Sequence, residues 1–237
     1  MFKLKKNKKN TTTTLARKLI TVANSKSVVS EQFKTIRTNI NFSMPDKDIQ
    51  TLLITSSTPG EGKSTMSSNT AVVFAQENKK VLLIDADMRK PTVHHTFSLN
   101  NSVGLANLLT RQAKVEQAVQ KTEVEGLHII TSGPIPPNPA ELLASNMMNN
   151  LIDELSKQYD AIIFDAPPIL SVTDAQILSN KCDGTIMVVN SGVAEKAGVL
   201  KAKEALEQSQ ANILGVVLNN FKLERDHYYY QYYGSAE

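Results

Sequence analysis

The sequence lacks several features that would place it among secreted or membrane-spanning proteins. It contains no tryptophan and only 5% aromatic residues among 237, so its core must be built from Leu, Ile, Val and Ala. The apolar runs, such as 81–84 and 186–189, fall far short of the roughly 20 residues that a membrane-spanning helix needs. The single cysteine, Cys182, cannot form an internal disulfide and fits a reducing compartment. These absences predict a cytoplasmic protein.

The sequence also lacks a large excess of positive or negative residues. The formal net charge of +3 is too small to indicate direct nucleic-acid binding. Five lysines occur in the first nine residues, but they are not followed by the apolar stretch of a secretory signal. We expect residues 1–29 to form a flexible basic arm, which is either simply solvated or held weakly by anionic lipid or an acidic partner.

Apolar segments alternate with helical segments along the rest of the chain. The pattern predicts strands at 51–55, 81–84, 127–131, 161–164, 184–189 and 213–218, and helices at 30–42, 63–80, 138–155, 172–180 and 195–209. Uniformly apolar strands separated by helices indicate an α/β fold, in which helices cover both faces of a parallel sheet. We expect a single domain over residues 30–222 and a mobile tail over 223–237.

A glycine-rich loop follows the first predicted strand and leads directly into a helix. Strand, loop and helix in this order indicate a phosphate-binding loop for ATP or GTP, because the glycines let backbone N–H groups surround phosphate oxygens. Lys63 would contact the β- and γ-phosphates, Ser64 would bind Mg²⁺, and Thr65 could donate to the α-phosphate. Ser57 stands where the pattern usually has its first glycine. The predicted nucleotide-binding residues are Ser57, Thr58, Pro59, Gly60, Glu61, Gly62, Lys63, Ser64 and Thr65.

Carboxylates follow two further predicted strands. Asp85 and Asp87 come after 81–84, and Asp165 comes after 161–164. A buried carboxylate needs a cation or a helix N-terminus as its partner, and Mg²⁺ is a suitable cation. We expect Asp165 to hold the metal, and we prefer Asp85 to Asp87 as general base or metal ligand. Capping of the following helix is the alternative role for each of them.

The phosphate loop and the two acidic motifs resemble those of the bacterial protein-tyrosine kinases of exopolysaccharide and capsule systems. The acidic motifs are Ile84-Asp-Ala-Asp-Met-Arg89 and Phe164-Asp-Ala-Pro-Pro168, and the resemblance covers residues 30–237. In that family the three motifs are called Walker A, Walker A′ and Walker B. The resemblance implies a P-loop fold and an ATP- and Mg²⁺-dependent kinase, which phosphorylates its own C-terminal tyrosines and other cytoplasmic proteins.

Tyrosine is concentrated at the end of the chain. Of the six tyrosines, only Tyr159 lies outside the last ten residues. We predict that the clustered hydroxyl groups accept phosphate on a mobile tail, whereas a sticky segment or a final strand is the alternative. Each phosphate would add about −1.5 to −2 charges, so phosphorylation should loosen docking of the tail in an acidic site. The predicted acceptors are Tyr228, Tyr229, Tyr230, Tyr232 and Tyr233.

Two further assignments concern the first helix and the last strand. Glu31, Lys34 and Arg37 resemble a Glu-x-x-Arg-x-x-Arg stretch that implies contacts between the subunits of a ring. Lys34 lacks the bidentate fork of arginine, and an ordinary pattern of charges on a solvated helix face is the alternative. Asn219, after the last predicted strand, could contact adenine or form a turn.

The resemblance also implies partners. These are a transmembrane activator that recruits the domain to the membrane, substrates such as enzymes that make nucleotide sugars, and a cognate tyrosine phosphatase. One rival is a nucleotide-switched partitioning or division-site ATPase without kinase activity, whose signature lysine would stand at Thr58. Another is a nucleotide-binding scaffold. The tyrosine cluster and Thr58 favour the kinase.

Overall fold

The structure is a computed structural model that describes residues 19–44 and 49–221. Within these ranges, seven strands form one sheet in the order β3-β4-β2-β5-β1-β6-β7. The strands are β1 Thr51–Ser56, β2 Val81–Asp85, β3 Val119–Lys121, β4 Leu127–Ile130, β5 Ala161–Asp165, β6 Gly184–Asn190 and β7 Ile213–Asn219. Only the β3–β4 pair is antiparallel, so the predicted α/β fold with a mainly parallel sheet is confirmed.

Ten helices accompany the sheet in the described part of the chain. They are α1 Ile20–Ala23, α2 Val28–Phe42, α3 Lys63–Ala75, α4 Val93–Phe97, α5 Leu105–Leu109, α6 Val115–Ala118, α7 Pro139–Ala144, α8 Asn146–Ser156, α9 Asp174–Ser179 and α10 Lys196–Gln208. None of the helices in these ranges combines the length and the apolar character needed to cross a bilayer.

The sheet is buried on both faces because successive strand residues point to opposite sides. Leu53 and Phe164 join a core cluster with residues of α7, α8 and α9. Their neighbours Ile54 and Ile163 join a second cluster with residues of α2 and α3. Strands that meet a helix layer on each face read as continuous apolar runs, which explains why these segments were predictable.

Three parts of the fold differ from the prediction. Strand β3 and the short helices α4, α5 and α6 were missed, since segments of three to five residues carry too little periodicity. The predicted helix 138–155 is two helices, which meet at Ser145. Ser145 ends α7 and also caps α8, where its side chain accepts a hydrogen bond from the Met148 N–H.

The folded structure begins before the predicted boundary at residue 30. Leu19 is buried, and the hydroxyl of Thr21 in α1 donates a hydrogen bond of 2.8 Å to Oδ1 of Asn69 in α3. The buried hydrogen bond fixes α1 against α3, so residues 19–29 belong with the domain rather than with the arm. Residues 1–18 and the tail from 222 onward lie outside the described residues.

Asp183 connects the starts of β1 and β6. One of its carboxylate oxygens accepts hydrogen bonds from the Thr51 N–H at 2.9 Å and from the Thr51 hydroxyl at 2.8 Å. In return, the Asp183 N–H donates to that hydroxyl at 2.8 Å. This reciprocal set fixes the register of β6 against β1, the strand that leads into the cleft described below.

We predict that Asp183→Ala lowers the free energy of unfolding by about 1–3 kcal/mol, because the Thr51 N–H loses its acceptor at a partly buried site. Urea denaturation followed by circular dichroism measures the change. Asp153→Ala is the matched control on the exposed side of α8 and should change stability by less than about 0.5 kcal/mol. Equal losses in the two variants would contradict the assigned role of Asp183.

Candidate active site

The carboxyl ends of β1, β2 and β5 open into one cleft of about 500 Å³. These strands lie side by side at the centre of the sheet, so the three segments that follow them converge. The cleft is lined by the phosphate loop, by residues between Asp87 and Thr96, and by residues between Pro167 and Val172. The predicted polar motifs therefore meet at one place.

The phosphate loop needs glycine at two positions. Gly60 and Gly62 have φ angles of +85° and +94°, a region that disfavours residues with a side chain. At Gly62 a Cβ atom would also lie 2.2 Å from Nδ2 of Asn219, so the Asn219 side chain would have to move. That amide donates a hydrogen bond of 2.9 Å to the backbone carbonyl of Glu61. Asn219 therefore supports the loop, a role that the sequence analysis did not assign to it.

Glu61 stabilises the loop from inside. Its carboxylate is buried and accepts hydrogen bonds from the Ser57 N–H at 2.8 Å, from the Ser57 hydroxyl at 2.9 Å and from the Thr58 N–H at 3.1 Å. Ser57, which replaces the usual first glycine, thus contributes a hydroxyl that Glu61 binds. The signal in the sequence was a serine and an acid four residues apart, both within one short loop.

Lys63 lies between two carboxylates. Its Nζ is 2.9 Å from Oδ2 of Asp87 and 3.5 Å from Oδ1 of Asp165, and it donates a hydrogen bond of 3.2 Å to the Ser64 hydroxyl. Burial lowers the pKa of Lys63, but the Asp165 and Asp87 carboxylates outweigh it and raise the pKa above its ordinary value. The ammonium group therefore remains charged.

Asp165 is fully buried, and neither of its carboxylate oxygens accepts a hydrogen bond from the described residues. Burial raises its pKa, while Lys63 opposes that shift. The Asp165 oxygens accept no hydrogen bond within the part of the chain described but have Lys63 as their ion-pair partner, and with the Ser64 hydroxyl they offer the oxygen ligands that Mg²⁺ prefers. In residues 19–44 and 49–221, no group of three His, Cys, Asp or Glu residues could hold a metal. A Mg²⁺ held by Asp165 and Ser64 would take its remaining ligands from phosphates and water.

Asp85 has a different environment from Asp87. It is fully buried, and Oδ2 accepts hydrogen bonds from the backbone N–H groups of Thr92 at 3.1 Å and Val93 at 3.0 Å. These contacts cap the start of α4, the alternative role considered above. Burial raises the pKa of Asp85 to about 8, and the charge of Asp165 adds to this shift.

Asp87 is the carboxylate that faces the cleft. One of its oxygens contacts Lys63, and the other accepts a hydrogen bond of 3.0 Å from the Lys90 N–H. The geometry thus favours Asp87 over Asp85 as the residue that meets a bound substrate. The sequence favoured Asp85 because it comes directly after the strand. It did not reveal that the N–H groups of Thr92 and Val93 bind this carboxylate.

The three charged residues of α2 do not form one exposed group. Glu31 and Lys34 pair with each other at 2.7 Å on the surface. Arg37 instead turns towards its own domain, where its Nε lies 2.9 Å from Oε1 of Glu77, just beyond the end of α3. The five tail tyrosines lie outside the described residues, so their assignment stays a prediction.

Comparisons with known proteins decide the family. A family model described as an AAA domain matches residues 49–216. Tyrosine-protein kinase YwqD of Bacillus subtilis (strain 168) is 51% identical over 230 residues, which cover 97% of each chain. The chain belongs to the family of bacterial tyrosine-protein kinases.

Two solved structures have the same fold as this chain. The chimerical protein CapA2B2 has a TM-score of 0.85 at 45% identity, covering 87% of this chain and 91% of that chain. The kinase domain of the Escherichia coli tyrosine kinase ETK has a TM-score of 0.81 at 32% identity, covering 87% and 82%. The family suggested by the three motifs is therefore confirmed.

We predict that Gly62→Ala weakens nucleotide binding by this kinase far more than Gly60→Ala does. Both substitutions strain the backbone, at roughly 1–2 kcal/mol. Only the new Cβ at position 62 collides with Asn219, whereas a Cβ at position 60 would meet no heavy atom of the described residues within 4 Å. Titration with a fluorescent ATP analogue measures the dissociation constants. Equal affinities for the two variants would show that the close approach of Asn219 does not shape the loop.

Proposed function

We propose that the chain is an ATP-dependent protein-tyrosine kinase that phosphorylates the clustered tyrosines of its own tail and other proteins, and so regulates exopolysaccharide or capsule production. The observation that carries this proposal is the position of Lys63, between Asp87 and Asp165 at the start of the helix that follows the phosphate loop. The tyrosine-kinase relatives support the activity, and the five tail tyrosines provide acceptors.

The loop and Lys63 bind the phosphates of ATP. Backbone N–H groups at the start of α3 point towards the cleft, where the helix adds partial positive charge. An incoming γ-phosphate competes with Asp87 and Asp165 for the Lys63 ammonium group. Catalysis then depends on positioning and on charge neutralisation, without a covalent enzyme intermediate.

Ser64 and Asp165 are the residues that would hold Mg²⁺. When bound, the ion neutralises charge on the phosphate oxygens. The Asp165 carboxylate is already buried in the free protein, and Oδ1 lies 3.5 Å from Nζ of Lys63.

Asp87 orients the incoming tyrosine and receives its proton. A phenol with a pKa of about 10 is a poor nucleophile at neutral pH unless a base withdraws its proton. The phenolic oxygen forms the new bond to the γ-phosphorus, the bond from that phosphorus to the β-phosphate oxygen breaks, and ADP leaves. Asp85 holds the segment in place through the N–H groups of Thr92 and Val93.

The remaining assignments concern partners. We extend the proposal to a homo-oligomeric ring, a transmembrane activator that brings the kinase to the membrane, and a cognate tyrosine phosphatase. Helix α2 supports a contact surface, since Phe42 is 75% exposed, Val29 is 52% exposed, and the Glu31–Lys34 pair lies on the surface. The Arg37 side chain is only 15% exposed and binds Glu77 of its own subunit, so it contributes less than the more exposed Glu31 and Lys34 to such a contact.

The partitioning-type ATPase is the second candidate that the sequence raised. Proteins of that class carry a signature lysine at the position of Thr58. In this chain the Thr58 N–H donates a hydrogen bond to Glu61, and the Ser56 hydroxyl donates one of 2.9 Å to the Thr58 carbonyl. The backbone of Thr58 therefore forms hydrogen bonds within the loop. Steady ATP hydrolysis without any phosphotyrosine would favour this candidate.

We predict that Lys63→Met lowers tail phosphorylation at least about a hundredfold, because the developing charge on the transferred phosphoryl group loses its fixed cation. The full-length chain is incubated with Mg-ATP and probed with an anti-phosphotyrosine antibody. Lys203→Met removes an exposed lysine from α10 and is the matched control, with no expected change. Wild-type activity in the Lys63 variant would contradict the mechanism.

We also predict that Mg²⁺ binds weakly unless nucleotide is present. In the free protein the Lys63 ammonium group is paired with both Asp87 and Asp165, so it competes with a second cation for these carboxylates and repels it. Calorimetric titration with MgCl₂ alone should show no saturable binding to wild type, but saturable binding to Lys63→Met. Adding Asp165→Asn to that variant should remove it again. Tight Mg²⁺ binding by the nucleotide-free wild type would contradict this account.

A further inference from the structure

Arg89 and Asp174 form a bidentate ion pair between two segments that line the cleft. The Nε and Nη2 groups of Arg89 donate hydrogen bonds of 2.9 Å each to the two carboxylate oxygens of Asp174. Arg89 lies two residues after Asp87, in the segment that follows β2. Asp174 is the first residue of α9, directly after the segment that follows β5. The pair thus connects the ends of the two acidic motifs.

The pair is fixed rather than a fluctuating surface contact. The Asp174 side chain is fully buried, whereas the Arg89 side chain is 39% exposed. A buried carboxylate that binds both prongs of a guanidinium fork has one favourable geometry, since each oxygen accepts a charge-assisted hydrogen bond. Loss of either partner would therefore release the Arg89 segment from α9.

Each of the two segments also has hydrogen bonds to the sheet or to residues at the ends of its strands. Asp85 holds the start of α4 through Thr92 and Val93, and the Ile169 N–H donates a hydrogen bond of 2.9 Å to the Ser56 carbonyl. These contacts attach each segment to the sheet. The Arg89–Asp174 pair attaches one segment directly to the other, in addition to the contacts of Lys63 with Asp87 and Asp165, and so constrains the distance between the two walls.

The space between these walls suits an aromatic ring. One wall presents Pro167, Pro168 and Val172, and the other presents Arg89 and Thr96. Proline rings are rigid and apolar, so they can pack against the face of a phenol without losing side-chain entropy. Asp87 lines the same cleft as these residues. A ring placed there would direct its hydroxyl towards the residue that receives the proton.

We propose that this part of the cleft is the acceptor subsite, which receives the phenol ring of a peptide tyrosine, and that the Arg89–Asp174 pair positions its two walls. This inference rests on the proposed kinase function. Arg89 and Asp174 are positioning residues, because their polar groups bind each other and the pair acts on the acceptor through the walls. Removing the pair impairs transfer to tyrosine without impairing ATP binding.

The test separates binding of the acceptor from binding of ATP. The protein is the full-length chain in which the five tail tyrosines are replaced by phenylalanine, and a peptide with the sequence of residues 224–237 is the added acceptor. Tyr159 is only 5% exposed, so it does not compete with the peptide. Three quantities are measured: the dissociation constant of an ATP analogue, the rate of ATP hydrolysis without peptide, and kcat and KM for the peptide.

In Arg89→Ala, kcat/KM for the peptide should fall about tenfold or more, because misplaced walls no longer hold the phenol in line. The dissociation constant of the ATP analogue and the hydrolysis rate should stay within about twofold. Arg89→Lys keeps the positive charge but loses the bidentate guanidinium group. Its kcat/KM for the peptide should therefore lie between those of wild type and Arg89→Ala. Lys203→Ala breaks an exposed ion pair on α10 and serves as the control, with unchanged kinetics.

Arg89→Ala leaves Asp174 buried without its partner, so a second variant separates positioning from stability. In Arg89→Ala/Asp174→Asn the uncompensated charge is gone but the walls are still unconnected. We expect its melting temperature to recover towards wild type while its peptide kcat/KM stays low. Recovery of kcat/KM together with stability would overturn the inference, as would equal losses of ATP affinity and peptide kcat/KM. Absence of peptide phosphorylation by the parent protein would overturn the kinase proposal itself, and this inference with it.

Discussion

The structure of this site depends on one ion pair network, in which Lys63 lies between Asp87 and Asp165. Both carboxylates are almost completely buried, and buried carboxylates are stable only when a cation or hydrogen-bond donors accompany them. The network joins the phosphate loop to the segments after β2 and β5, so the three parts of the cleft constrain each other. A phosphate can replace these carboxylates as the partner of the Lys63 ammonium group. The ion pairs of the free protein are therefore linked to nucleotide binding.

Internal hydrogen bonds keep the phosphate loop in shape around this network. Glu61 satisfies the N–H groups and the hydroxyl at the start of the loop, while the Asn219 amide supports its backbone from β7. The loop therefore has a defined conformation before any ligand binds. Pre-organised donors lose little entropy when they meet a phosphate, which is the property that catalysis by positioning requires.

Much of the fold and the composition of the site followed from sequence, because apolar strands, a glycine-rich loop and carboxylates at strand ends are local patterns. The pairing of side chains did not follow. Asp85 and Asp87 are two residues apart, but Asp85 binds the N–H groups at the start of α4, whereas Asp87 contacts Lys63 and faces the cleft. Arg89 and Asp174 are separated by 85 positions, so their contact depends on the order of the strands. Segments such as β3 are too short for a periodic signal and form through pairing with a neighbour.

The most direct measurement is a pair of crystal structures of the full-length chain, one free and one with Mg²⁺ and a non-hydrolysable ATP analogue. The account predicts that Nζ of Lys63 leaves Asp87 and Asp165 and lies within hydrogen-bond distance of the β- and γ-phosphates. It further predicts that Asp165 and Ser64 lie at the metal, while Asp87 faces the γ-phosphate. A bound nucleotide with Lys63 still paired to both carboxylates would contradict the central claim.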